Sequence, residues 1–292
     1  MNKKIYEILE IIFKSIVKMM SILVVVVLAL IIICILKEAI YAFKYVSITD
    51  FIFASKWKPL SDKVVLGILP MILGSIFSSL VALIIAVPIG VGAALFLSCQ
   101  KSRKFRMIIV SILNLLVGIP SVVYGFFGLV VIVKFFEMRF NMASGESVFA
   151  AGVLLAIMVL PYIISTCEGS MTKVIYKNEI SSMALGVSKW HMIYHLILPS
   201  VRKSIFSAIV LAFSRAMGET MAVMMVIGNT PLFPKLFGKA QTIPALIALE
   251  MGGSQIGSPH YYGLYAAGLV LMIMLIVLNR LVMKSEDDLY ND

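Results

Sequence analysis

Arg215 and Glu219 stand in the run Ser214-Arg215-Ala216-Met217-Gly218-Glu219-Thr220, inside an otherwise apolar stretch long enough to cross a bilayer. A charge at the bilayer centre costs about 2.5–3.5 kcal/mol on insertion scales, so two in one stretch demand an explanation. Four residues apart on a helix, the two side chains share a face and partly neutralise each other. One reading is an ion pair that locks helices together. The other is a polar pathway or an anion contact. Arg suits that role, because its planar fork matches phosphate or carboxylate and stays charged at any working pH. Gly218 lets another backbone approach the same face.

A second stretch, Glu179 to Pro199, reads as a helix ending near Gly186, a turn, and a short second helix. Ser188 is placed to cap that helix at its N-terminus, and Pro199 to end it. Ala184 precedes the turn, and Lys189 and Trp190 follow it. A short helix presenting Trp190 suits either a partner's groove or the membrane surface, and spacing alone leaves the two open.

Other chemistry is missing. A phosphate-binding Walker A loop needs a Gly, four residues, then Gly-Lys-Ser/Thr. Gly238-Lys239 is followed by Ala240 and preceded five places back by Phe233. His191 and His195 have zinc-protease spacing, but Met192 stands where the general-base Glu is required. No Gly-x-Ser-x-Gly element occurs, so a serine nucleophile elbow is unsupported. Cys34, Cys99 and Cys167 share no ligand spacing and read as small buried hydrophobes, with no metal site or disulfide framework. The basic loops lack aromatic stacking arrays, so nucleic acid is not an expected partner. The chain reads as no enzyme and as binding no cofactor of its own.

The elements that hold these residues follow from composition. The 292-residue chain is 61% hydrophobic and 14% charged, with net charge +10. So little charge cannot cover a soluble surface of this size. Six nearly uncharged segments, roughly 19–36, 64–99, 107–133, 147–167, 204–228 and 259–279, are long enough to span a bilayer as helices. The expected fold class is all-α, a polytopic membrane protein of six transmembrane helices. No small-x-small cleavage site follows the first segment, which argues against a cleaved signal peptide. Lys and Arg number 15 in the loops and tails on one side of the spans and nine on the other. The positive-inside rule then places both termini in the cytoplasm. With no internal repeat and no large outer loop, the chain is read as one membrane domain over 19–283, its cytoplasmic loop at about 173–203. The flanking cytoplasmic segments are 1–18 and 284–292.

Ala184-x-Gly186 with Ile197-x-Pro199 resembles the coupling loop of bacterial ABC-importer permeases. That motif carries Glu-Ala-Ala before its Gly. Here the acidic position falls on Ile180 and Glu179 stands one place early, a rotation of about 100° on a helix. The resemblance runs from about Trp57 to the sixth span. It rests on Trp57-x-Pro59, Gly67-Ile68-Leu69-Pro70, Gly118-Ile119-Pro120-Ser121-Val122-Val123-Tyr124-Gly125-Phe126-Phe127-Gly128, Gly218-Glu219-Thr220-Met221-Ala222-Val223 and Gly228-Asn229. Together these resemble the C-type permease of the bacterial phosphate-specific (Pst) ABC importer. The resemblance implies a type I ABC-importer permease fold in the bacterial inner membrane. It also implies a heterodimer with an A-type permease, two copies of an ATPase subunit that binds ATP-Mg, and an extracytoplasmic phosphate-binding protein. The family's pathway Arg and Glu map onto Arg215 and Glu219, with Thr220 and Ser121 in the same motifs.

The Gly118-to-Ser121 interruption is expected to break the third span near its middle. Broken helices place free N–H groups beside a polar path, where they favour anions; a plain proline kink at a packing contact is the other reading. A permease for another oxyanion or small solute shares the coupling loop. A stand-alone secondary transporter would need its own coupling-ion site and usually an inverted repeat, and neither is visible.

Overall fold

A computed structural model describes residues 3–100, 102–140 and 142–290. Lys101, one of the basic residues counted for orientation, lies outside the described residues. In chain order the elements are α1 (Lys3–Ala42), α2 (Ile48–Phe53), β1 (Trp57–Lys58), β2 (Val65–Leu66), α3 (Leu69–Ser98), α4 (Arg103–Val117), α5 (Ser121–Phe127), α6 (Lys134–Phe140), α7 (Val148–Ala184), α8 (Lys189–Met192), α9 (Leu198–Gly218), α10 (Met221–Met224), α11 (Ile243–Glu250) and α12 (Pro259–Tyr290). π-helical turns at Gly128–Val133 and Ile193–Ile197 join α5 to α6 and α8 to α9. Six helical segments among the described residues are long and apolar enough to cross a membrane: Glu10–Ala42, Leu69–Ser98, Ser121–Phe140, Val148–Ala184, Lys189–Gly218 and Pro259–Leu281.

The number of spans agrees with the sequence reading, but several limits differ. The second helix begins at Leu69 because residues 57–66 fold as a two-stranded antiparallel ribbon, with Trp57 paired to Leu66. The fourth runs on to Ala184, since nothing between Cys167 and the Gly186 turn breaks it. The fifth is displaced: it starts at Lys189 and stops at Gly218 instead of covering 204–228. Pro199 does not end a helix. It lacks the N–H that an α-helix would donate four residues back, and the π-turn just before it absorbs the misfit. Ser200 Oγ donates to the Leu196 carbonyl at 2.6 Å, satisfying one acceptor beside that irregular turn.

The centre of the bundle is the α3–α7 seam. Ser78, Ser79, Ala82, Ala86, Gly90 and Ala94 form the buried face of α3. Small residues at four-residue spacing let helix backbones approach closely where lipid gives no hydrophobic drive. A Cβ on Gly90 would lie 2.7 Å from Ile163 Cγ2 of α7, and one on Gly152 of α7 would strike the Val81 side chain. The buried serines cost little: Ser75, Ser78 and Ser79 each donate to a carbonyl one turn back in α3, at 2.8–3.0 Å. Around this seam α9 and α10 complete one core, with Ala212, Ala216, Ala222 and Val223 buried. A second core joins Ala39 and Ala42 of α1, Phe51, Trp57, Leu66, Ile243 of α11 and Leu264 of α12. The chain between α10 and α11 folds back onto α3, where Ser75 Oγ accepts the Ile243 N–H at 3.1 Å.

Candidate functional site

Two helix breaks precede helices that pack together, α5 and α10. α4 stops at Gly118 and α5 starts after Pro120; α9 stops at Gly218, and α10 starts after Thr220. They are neighbours because Gly125 of α5 leaves room for α10: a Cβ there would lie 3.0 Å from the Ala222 Cα. Tyr124 of α5 donates its hydroxyl to the Leu116 carbonyl at 2.9 Å, filling an acceptor at the end of α4. Ser121 is half-buried at the first position of α5.

Arg215 and Glu219 do not share a helical face. Arg215 lies in the last turn of α9, where a cation faces the negative end of the helix dipole. Its guanidinium carbon is 4.1 Å from the centroid of the Tyr162 ring of α7. Glu219 has already left the helix (φ −70°, ψ 126°). Its Oε1 accepts the Ala222 N–H at 3.3 Å, so it caps α10 from the preceding turn. Among the described residues no ion pair joins Arg215 to Glu219. The i, i+4 inference fails because the helix ends between the two residues. Thr220 Oγ1 donates to the Gly218 carbonyl at 3.3 Å and bridges the break. Gly218 has open space where a side chain would be.

The stretch around Gly186 folds as the residues imply. Ala184 is the last residue of α7, and Gly186 takes φ +69°, the left-handed conformation that favours glycine. Its N–H and that of Val187 donate to Met183 and Ser182 carbonyls, both at 3.0 Å. Ser188 Oγ accepts the His191 N–H at 3.3 Å and caps α8. Trp190 is exposed and stacks on Tyr194 at 6.2 Å. With Ile180, Met183 and Leu185 also exposed, the end of the bundle carries an apolar surface. Lys189 Nζ donates to the Cys99 carbonyl at 3.3 Å, placing a cation at the C-terminus of α3. Glu179, displaced from the family's motif position, lines a cavity of about 70 Å³ with Lys189, Cys99 and Gln100. Burial raises the Cys99 thiol above its ordinary value; the Lys189 ammonium opposes that shift and Glu179 adds to it.

Three features escaped the sequence reading. Tyr162 carries no motif signal. Arg106 Nε of α4 lies 2.6 Å from Glu168 Oε1 of α7, and Glu168 is buried. Thr172 Oγ1 donates to the same carboxylate oxygen at 2.9 Å. The signal was present: Glu168 directly follows an apolar run, at a depth where a lone charge is costly. At the opposite end of the bundle, Glu250 Oε2 accepts from Trp57 Nε1 at 2.8 Å and lies 2.7 Å from His260 Nε2. This ties the ribbon bearing Trp57-x-Pro59 to α11 and α12.

Comparison with known proteins fits this architecture. Residues 86–285 match the family described as binding-protein-dependent transport system inner membrane component. The chain is 36% identical over 230 residues to the probable ABC transporter permease protein YqgH of Bacillus subtilis, covering 78% of this chain and 74% of that protein. It is 34% identical over 257 residues to the phosphate transport system permease protein PstC of Xylella fastidiosa, covering 80% and 78%. The probable PstC of Methanocaldococcus jannaschii is 31% identical over 251 residues, covering 79% of each. Among solved structures, a chain of the inward-facing MetNI methionine ABC transporter superposes with TM-score 0.56 at 15% identity, covering 75% of this chain and 95% of that one. At that identity the likeness concerns the fold alone.

Proposed function

We infer the role of this chain from its family: it belongs to the binding-protein-dependent transport system inner membrane components, and it is the permease subunit of an ATP-driven phosphate importer. It forms half of the route for inorganic phosphate, and the A-type permease supplies the other half. An ATPase dimer binds ATP-Mg and drives the cycle, docking on the turn from Val187 to Trp190; an extracytoplasmic binding protein delivers phosphate. Both termini are cytoplasmic, consistent with the 15-to-nine distribution of Lys and Arg. The membrane domain covers 19–283, with the coupling loop at about 173–203.

The observation that carries this reading is Arg215, exposed at the break of α9 with its charge resting on an aromatic face instead of a carboxylate. A cation–π contact is worth about 0.5–1 kcal/mol at exposed sites. A doubly hydrogen-bonding oxyanion can compete with it, whereas a buried Arg–carboxylate pair would be broken only at a cost of about 3–5 kcal/mol. The arginine is thus held in place yet available, and weak binding permits release. Ser121 and Thr220 are the other polar side chains assigned to this junction, with the Thr220 hydroxyl already donated to the Gly218 carbonyl. Glu219 serves by fixing the start of α10.

The test is phosphate uptake by the four-component importer in proteoliposomes. Arg215→Gln is expected to abolish uptake while assembly persists. Arg215→Lys keeps the charge, loses the fork and should retain part of the rate. Parental uptake by Arg215→Gln would overturn the assignment.

A further inference from the structure

Arg106, Met107, Val110 and Ser111 of α4 line, with Glu168 of α7, an open cavity of about 500 Å³ whose lining includes neither Arg215 nor Glu219. Glu168 engages the guanidinium from its Nε side, at 2.6 Å. A side-on carboxylate occupies at most two of the five guanidinium donors. The remaining donors are at the terminal nitrogens, and the Arg106 side chain is one-third exposed. Ser111 adds an exposed hydroxyl to the same cavity. Thr172 bonds the carboxylate from its own helix, so Glu168 is held while it holds the arginine.

We propose that this cavity is a second oxyanion site, in which the free edge of Arg106 and the Ser111 hydroxyl bind a phosphate group. Glu168 is the positioning residue that aims the fork. Its negative charge offsets that of Arg106, so the site binds by hydrogen-bond geometry more than by net charge and exchanges its ligand readily. Glu168 stands six residues beyond Tyr162 on α7, about 9 Å along the helix. The site therefore lies between the Arg215 junction and the end of the bundle that carries Gly186. Two sources can supply the phosphate group: free inorganic phosphate leaving the importer, or the headgroup of an anionic phospholipid. The proposal takes the phosphate class from the function inferred above, but its test reads binding without transport.

Met107→Cys, at an exposed residue that lines the cavity without donating to the ligand, reports occupancy through its rate of maleimide labelling on a background free of other cysteines. The full importer is assembled in nanodiscs of phosphatidylcholine. In one arm inorganic phosphate is added, with chloride at equal ionic strength as control; in the other, part of the lipid is replaced by phosphatidylglycerol. Slowed labelling in the first arm identifies free phosphate as the ligand, and slowed labelling in the second identifies the lipid headgroup. Arg106→Lys can still pair with Glu168 but has no fork, so protection should be lost in a chain that still folds. Equal labelling rates in phosphate, chloride and both lipid mixtures would overturn the site, as would full protection in Arg106→Lys. Loss of the function reading has a separate signature, parental uptake by Arg215→Gln, which leaves the labelling result unaffected.

Discussion

Arg215 takes its meaning from what it touches. The side chain lies on Tyr162, so the aromatic face and not the phenol hydroxyl should matter. Tyr162→Phe is expected to keep near-parental phosphate uptake. Tyr162→Leu should lower the maximal rate and shift the KM, since Arg215 loses its resting place; identical kinetics for Leu and Phe would argue against a ring contact. Glu219 gives a second contrast. It caps α10 by accepting the Ala222 N–H, a task the Gln amide oxygen can perform. Glu219→Gln should therefore insert and assemble normally, whereas Glu219→Ala should cost about 1 kcal/mol in thermal-unfolding measurements. The residues at this junction were legible in the sequence as two charges in an apolar run, but their relation was not. Spacing of i, i+4 implies a shared face only while the helix continues, and the helix ends at Gly218. Arg106 and Glu168 were illegible as a pair for a different reason: they meet through tertiary packing of α4 on α7, which no local period records.

Turns were easier to read than helix limits. A glycine after a long helix, a serine two places later and a new apolar run specify a left-handed turn and an N-cap by local chemistry alone, and both are present at Gly186 and Ser188. Gly186→Val would force a β-branched residue into φ > 0, at a local cost of about 1–3 kcal/mol. Insertion should persist, while phosphate-stimulated ATP hydrolysis by the assembled importer should fall; unchanged stimulation would show that the turn can be rebuilt. Pro199 reads as a stop only because proline rules describe α-helices and not the π-turn that accommodates it here. The small residues of α3 repeat every four positions in the sequence, but which residues of α7 they meet is set by tertiary packing. Gly152→Leu should be the more disruptive change at that seam, since the Val81 side chain occupies the space a Cβ would need. A marked drop in the yield of folded chain from detergent extracts is the expected result.

Membership of the permease family and six membrane-spanning helices account for the composition as a set. The orientation is open to direct measurement. Ser188→Cys on a cysteine-free background should be protected from an impermeant maleimide in intact cells and labelled after the membrane is opened; labelling in sealed cells would reverse the topology. The seam between α3 and α7 bears on how the machine can move. Gly90 and Gly152 bring the two helices into close contact at Ile163 and Val81, and Lys189 hooks the α8 helix to the C-terminal end of α3. In the cycle proposed above, a push delivered at Gly186 would pass into α7 and, through this seam, into α3. Tyr162 belongs to α7 and Arg215 to α9, so their contact spans two helices. On that proposal the stacking of guanidinium on ring would act as a strain gauge, loosening its hold on the cation when α7 is displaced relative to α9.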